Sequence, residues 1–236
     1  METVTHFHED QDFILSALMG PSVLTIMDEL GPYLDIKPEH TILDLGCGMG
    51  LSSLCLADRY GARTFAVDLW ISPEDNLARF SRFGMDRLII PLGLDVTAGL
   101  CFAKGYFDAL VSLDSWHYYG HSSSFLPSIL PYMKKNASIT VVVPGLKADF
   151  PDGRVPDELA PFWGPDMNIF STSWWRNLWQ AEPGIKLRAC REMDCCAKAW
   201  EEWLKAPNPY AQGDIAMMEA EGGKYFNLIQ LEATVL

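Results

Sequence analysis

The segment Thr41-Ile42-Leu43-Asp44-Leu45-Gly46-Cys47-Gly48-Met49-Gly50-Leu51 carries an apolar run into an amphipathic stretch through a loop of alternating glycines. Glycine enters left-handed backbone without steric cost and lets main-chain amides approach a ligand closely. A helix N-terminus behind the loop favours negative charge. Strand, glycine loop and helix at this spacing describe the first unit of a parallel α/β sheet whose ligand sits beyond the carboxyl end of the first strand.

The rest of the chain repeats the alternation. Thr41–Leu45 reads as a first strand and Leu51–Tyr60 as a helix stopped by Gly61. Thr64–Asp68 is a second strand, after which Ser72, Pro73 and Asp75 open a helix as N-cap, N1 and N3. That helix ends near Gly84. Leu88–Leu92, Phe107–Leu113 and Ser138–Val143 supply three more strands, with a helix over Ser123–Met133 whose ends Pro127 and Pro131 blur. Prolines at 151, 156, 161 and 165 then mark an irregular excursion, read as an inserted lid. A Trp-rich helix (Ser173–Gln180), a strand (Ile185–Arg191), a helical pair (Ala197–Lys205 and Gly213–Glu221) and a last strand (Tyr225–Leu236) follow. The expected organisation is one domain: an N-terminal cap over 1–40, a ligand-binding core over 41–144, an insertion over 145–183 and completion of the sheet over 184–236.

Glycine spacing decides between ligands. Gly46, Gly48 and Gly50 form G-x-G-x-G, whereas a dinucleotide fingerprint needs its third glycine where Leu51 stands. Asp44, two residues before the first glycine, would repel a pyrophosphate but can hold an ammonium directly or through water. Asp68, at the end of the second strand, is placed to accept both hydroxyls of a ribose. The expected ligand therefore carries an amine and a ribose.

These residues, Ile42 to Gly50 followed by Val67-Asp68, resemble the first two motifs of class I S-adenosylmethionine (SAM)-dependent methyltransferases. Residues 41 to 145 follow that family's order. The stretches Asp68-Leu69-Trp70 and Val111 to Tyr118 resemble bacterial small-molecule members of unassigned substrate. The resemblance implies a three-layer Rossmann-like sandwich with a seven-stranded, mostly parallel sheet in the order 3-2-1-4-5-7-6, strand 7 antiparallel. It implies SAM as cofactor and S-adenosylhomocysteine as product, held by Asp44, Gly46, Cys47, Gly48, Gly50 and Asp68. It places Leu69 and Trp70 along the adenine and Asp95-Val96 at the adenine amino group. In relatives an N-terminal segment closes over the cofactor, which makes His6, His8 and Tyr33 secondary candidates.

The exit of the fourth strand, Asp114-Ser115-Trp116-His117-Tyr118-Tyr119-Gly120, faces the reacting centre in such a sheet. Asp114 and Ser115 are expected at the cofactor and Trp116 and Tyr119 at the acceptor. His117 and Tyr118 are the candidate catalytic groups, His117 because an unperturbed imidazole titrates near 6.5. The amino-methylating motif Asn/Asp-Pro-Pro-aromatic is absent from this exit, and Asn208-Pro209-Tyr210 faintly resembles it in the wrong place. In the Trp-rich helix Trp175 and Trp179 share a face, read as core packing ahead of an acceptor pocket; Arg176 could meet an acidic acceptor.

A formal charge of −13 works against binding a polyanion, so nucleic acid is not expected as partner. No stretch approaches the length of a bilayer span and no basic start precedes an apolar run, which predicts a cytoplasmic protein without membrane association. Cys190, Cys195 and Cys196 lack the paired spacing and nearby histidine of a zinc site, so no metal is expected. The reading is methyl transfer from SAM to nitrogen, oxygen or carbon of a small-molecule acceptor by a monomer or homodimer. The alternatives are other SAM chemistry on the same fold, such as cyclopropane or aminopropyl transfer, and a non-catalytic SAM-binding regulatory module.

Overall fold

The computed structural model describes residues 6–236. Two helices, α1 (Gln11–Ala17) and α2 (Val23–Leu30), precede β1 (Thr41–Leu45), which α3 (Leu51–Tyr60) joins to β2 (Arg63–Asp68). α3 stops where expected because Gly61 turns left-handed at φ 63° and donates its N–H to the Ala57 carbonyl. α4 (Pro73–Arg82) opens with Ser72 Oγ accepting the Asp75 N–H at 3.3 Å. β3 (Ile89–Gly93) and β4 (Phe107–Leu113) complete the first half of the sheet.

Beyond β4 the chain departs from expectation in four places. α5 (Phe125–Ile129) gives way to a 3-10 turn over Leu130–Tyr132, because Pro131 cannot continue the α-helical ladder. β5 (Met133–Leu146) is longer than Ser138–Val143 and runs through Pro144; its pairing with β4 ends at Val142, so the missing proline N–H lies beyond the doubly paired span. The insertion contributes β6 (Phe170–Ser171), which pairs in parallel with Gly145 and Leu146 and makes the sheet eight-stranded. After α6 (Thr172–Gln180), β7 (Ile185–Glu192) and α7 (Cys196–Trp203), α8 (Pro209–Glu221) starts four residues before Gly213. Asn208 is its cap, its Oδ1 accepting the Tyr210 N–H at 2.9 Å. Asn208-Pro209-Tyr210 is thus a helix start.

With β8 (Phe226–Val235) in place, the order is β3-β2-β1-β4-β5-β8-β7, and β8 runs antiparallel to both neighbours. Apart from β6 this is the expected topology. Side chains of β1 alternate: Ile42 joins the layer containing α2, α3 and α7, while Leu43 and Leu45 join the layer containing α5 and α6. Trp175 and Trp179 lie fully buried in the second layer, with Trp116 5.9 Å from Trp179 between ring centroids. The N-terminal cap is bound to the C-terminal helices: Thr25 Oγ1 donates to Glu202 at 2.7 Å, Ser22 N–H to the Ala199 carbonyl at 2.9 Å, and Cys195 N–H to Glu29 at 2.8 Å. No helix among the described residues is long and apolar enough to cross a membrane.

Candidate active site

The glycine loop is pinned to the sheet. Gly46 and Cys47 both donate their N–H to the Val67 carbonyl, at 2.8 and 3.0 Å. Gly46 has φ 77°, and a Cβ there would lie 1.8 Å from Ser115 Oγ. Only glycine satisfies both conditions. Ser112, Ser115 and Tyr119 in turn donate their hydroxyls to the Leu45 carbonyl at 2.7, 3.0 and 3.3 Å, tying the β1 and β4 exits together. Asp44 sits beneath the loop, fully enclosed. Ser52 and Ser53 hydroxyls donate to its Oδ2 at 2.6 and 2.5 Å, while Oδ1 has no partner among the described residues. Burial pushes its carboxyl up to about 6, against the two hydroxyls and with help from Asp68.

Above the loop lies a cavity of about 320 Å³. Its walls include Gly46 to Met49, Asp68 to Trp70, Leu94 to Thr97, Asp114-Ser115 and, from the N-terminal cap, Ala17 to Gly20. Asp68 is aligned by three backbone amides: Gly48 N–H on Oδ2 at 2.8 Å, and Trp70 and Ile71 N–H on Oδ1 at 2.8 and 3.0 Å. Oδ2 keeps one lone-pair direction for a hydroxyl. Asp95 uses Oδ1 to accept the Thr97 N–H and hydroxyl, at 2.9 and 2.6 Å, which holds its carboxyl below the usual range. The Cys47 thiol is pushed well up by burial beside Asp44, so it is a wall and not a nucleophile. Asp44 itself does not border the cavity.

A second cavity, of about 700 Å³, adjoins the first and shares Met19, Gly20, Trp70, Asp114 and Tyr118 with it. Asp114 stands between them with φ 57°, a left-handed conformation that costs a non-glycine residue roughly 1–3 kcal/mol. Burial, with Asp214 across the cavity, pushes its carboxyl up to about 8. Asp214 is also raised, and it accepts the Trp203 indole N–H at 2.8 Å. His117 is only 7% exposed, and burial beside His121 drives it down to about 3. The imidazole is therefore neutral around neutral pH and does not titrate near 6.5 as the sequence suggested. Tyr118 is pushed up to about 12 by burial and by Asp114.

Several expected residues lie elsewhere. Trp116 and Trp175 are core, and Arg176 donates to the Cys190 carbonyl at 2.7 Å, away from both cavities. Tyr33 packs under Arg191, 4.8 Å from the guanidinium to the ring centroid, and His8 pairs with Asp58 at 3.3 Å. His6 borders neither cavity; Tyr119 and Ser115 do reach the first. Not among the candidate site residues of the sequence were Trp200, Trp203 and Asp214 of the second cavity, Tyr210, which was noted only as part of a misplaced motif, and Asp166 and Met167 from the insertion. The density of tryptophans between 163 and 203 was the available signal.

The family model described as a methyltransferase domain matches residues 43–141, which hold the loop, Asp68, Asp95 and Asp114. Over these residues the chain is similar to SAM-dependent methyltransferases. A curated relative, 2-methyl-6-phytyl-1,4-hydroquinone methyltransferase of Synechocystis, is 27% identical over 131 residues, 56% of this chain. The match spans only 39% of that protein. Among solved structures, geranyl diphosphate C-methyltransferase from Streptomyces coelicolor superposes with a TM-score of 0.69 at 17% identity, covering 89% of this chain and 75% of that one. The [4+2]-cyclase SpnF superposes at 0.71 and 13% identity, covering 99% and 96%. The methyltransferase fold thus extends over nearly the whole chain, beyond the matched domain, and its likeness to a cyclase shows that fold alone does not define a reaction.

Proposed function

We propose that the chain transfers the methyl group of SAM to a small-molecule acceptor. The observation that carries this reading is the shared wall between the two cavities, formed by Met19, Gly20, Trp70, Asp114 and Tyr118. The first cavity fits SAM: a wall of left-handed glycines at 46 and 48 that brings the backbone against it, an aligned Asp68 for a ribose, Asp95 with a free oxygen for an amino group, and Trp70 for an adenine face. When bound, SAM supplies an electrophilic methyl on a sulfonium. The chain's own contribution is to hold the acceptor close and aligned, an effect that can supply roughly 7–11 kcal/mol. A SAM-binding module that only regulates a partner would have no use for a chamber of about 700 Å³ beside the donor site.

Titration of the purified chain with SAM, S-adenosylhomocysteine and NAD tests the donor. Micromolar binding of the first two, lost in Asp68→Ala, is expected; tight NAD binding with none to SAM would overturn the reading. Transfer of a labelled methyl to an acceptor library tests the activity.

A further inference from the structure

The walls of the second cavity combine carboxylates with aromatic faces. Asp114, Asp166 and Asp214 border it, no lysine or arginine among the described residues lines either cavity, and Trp70, Tyr118, Trp200, Trp203 and Phe226 supply rings. Neither Asp114 oxygen accepts a hydrogen bond among the described residues, although Oδ2 packs against Gly20. Asp114 is half-buried, and its charged form would lack a partner in the cavity wall, so a cation entering the cavity is the group that stabilises its carboxylate. A second, independent feature agrees. His117, nine-tenths buried in the same wall, has no partner for Nδ1, and it is held neutral, so its ring carries an acceptor nitrogen as well as a donor.

We propose that this cavity takes an organic amine, bound as its ammonium against Asp114 and Asp214 within the aromatic walls, and that Asp114 receives the proton the nitrogen sheds. The proposal rests on the methyltransferase reading above. Aromatic faces attract an ammonium through their quadrupole, most strongly where water is excluded. A phosphorylated or diphosphate acceptor would meet three carboxyl groups and no cationic lysine or arginine among the described residues. A neutral acceptor offers no charge to draw Asp114 into its ionised form. The proton that made the amine an ammonium first leaves for the Asp114 carboxylate, freeing the nitrogen's lone pair. That pair then forms the N–CH3 bond as the S–CH3 bond breaks and its electron pair stays on sulfur. The net charge of −13 also draws cations toward the protein.

The groups facing Asp114 are Asp214 and Tyr210 from α8, Asp166 from the insertion, and His117 and Tyr118 after β4. Burial and Asp214 keep Asp114 largely protonated at neutral pH. An arriving ammonium reverses that balance, so amine uptake should release a proton.

The test is calorimetry on the full chain with S-adenosylhomocysteine present, using phenethylamine and tryptamine against phenethyl alcohol and geranyl diphosphate. Both amines are expected to bind at least about tenfold tighter than the alcohol at pH 7, with proton release read as a difference between phosphate and Tris buffers. Asp114→Asn should abolish the preference and the proton release. Asp214→Asn should weaken amine binding severalfold and leave S-adenosylhomocysteine binding intact, which with an unshifted melting curve shows that the variant folds. Equal binding of amine and alcohol, tighter binding of geranyl diphosphate, no measurable amine binding at millimolar concentration, or an undiminished preference in Asp114→Asn each overturns the proposal. Failure of the wild-type chain to bind S-adenosylhomocysteine would instead sink the methyltransferase reading.

Discussion

A Cβ placed on Gly20 would lie 1.9 Å from Oδ2 of Asp114. The two residues are far apart in the chain and come from different elements, yet the cap's backbone sets the position of the carboxylate between the cavities. Oδ2 is the far end of a rotatable side chain, so a methyl at Gly20 is accommodated by turning Asp114 away, without unfolding the cap. Gly20→Ala is expected to keep its melting temperature within a few degrees and to lose amine affinity by about 5–30-fold, the equivalent of 1–2 kcal/mol. Calorimetry beside a thermal melt checks both halves.

Asp44 predicts a stability profile. Its carboxyl is raised from 3.8 to about 6, so folding takes up a proton between those values. Its contribution favours the fold fully below pH 4 and is lost as pH rises through 6, a change of about 3 kcal/mol as an upper figure. Asp44→Asn, which keeps the shape and removes the charge, should therefore match the wild type near pH 3.5 and exceed its stability above pH 6. Urea denaturation at the two pH values tests this; a constant difference would refute it.

His117 makes the opposite kind of prediction for activity. Driven down to about 3, it carries no charge around neutral pH, and the group that titrates nearest neutrality at the shared wall is Asp114, at about 8. The pH profile of kcat/KM with an amine acceptor should rise on a limb near 8 and keep that limb in His117→Asn. A limb near 6.5 that disappears in the variant would return the base role to the imidazole.

Two tryptophans should respond differently. Trp70 is 66% exposed, meets Tyr118 edge to face at 5.3 Å and borders both cavities. Trp70→Ala should leave stability unchanged and weaken SAM or acceptor binding by about 1 kcal/mol, roughly fivefold. Trp175 is 0% exposed in the layer against the sheet. Trp175→Ala should cost roughly 3–5 kcal/mol in stability with ligand affinity retained in the folded fraction. Chemical denaturation and fluorescence titration of both variants separate the roles.

What could be read in advance is what depends on neighbours in the chain. β1 and β4 occupy the predicted residues, α3 ends at Gly61, and α4 starts behind Ser72, because strand, cap and turn chemistry are local. The two residues of β6 carry too little pattern to be seen, and they pair only because β5 extends past Val143. Asp214 and Trp203 reach the site because α7 and α8 pack beside an N-terminal cap held through Glu29, Thr25 and Leu18. No periodicity reports which distant element will cover a face. The same limit explains the histidine: residue type supplies an ordinary pKa near 6.5, whereas burial, which moves it to about 3, is a property of the assembled wall.

The walls of the second cavity have a consequence for how enzymes built this way diverge. Apart from Trp70, Asp114, His117 and Tyr118, its lining comes from residues 19–21, 144–169 and 200–227, outside the matched domain at 43–141. On the proposed reading, most of the acceptor wall is thus written outside the stretch that carries the glycine loop, Asp68 and Asp95. The flanks can drift, lengthen or be exchanged while the middle stays intact, so two proteins that agree closely over the core can accept unrelated molecules.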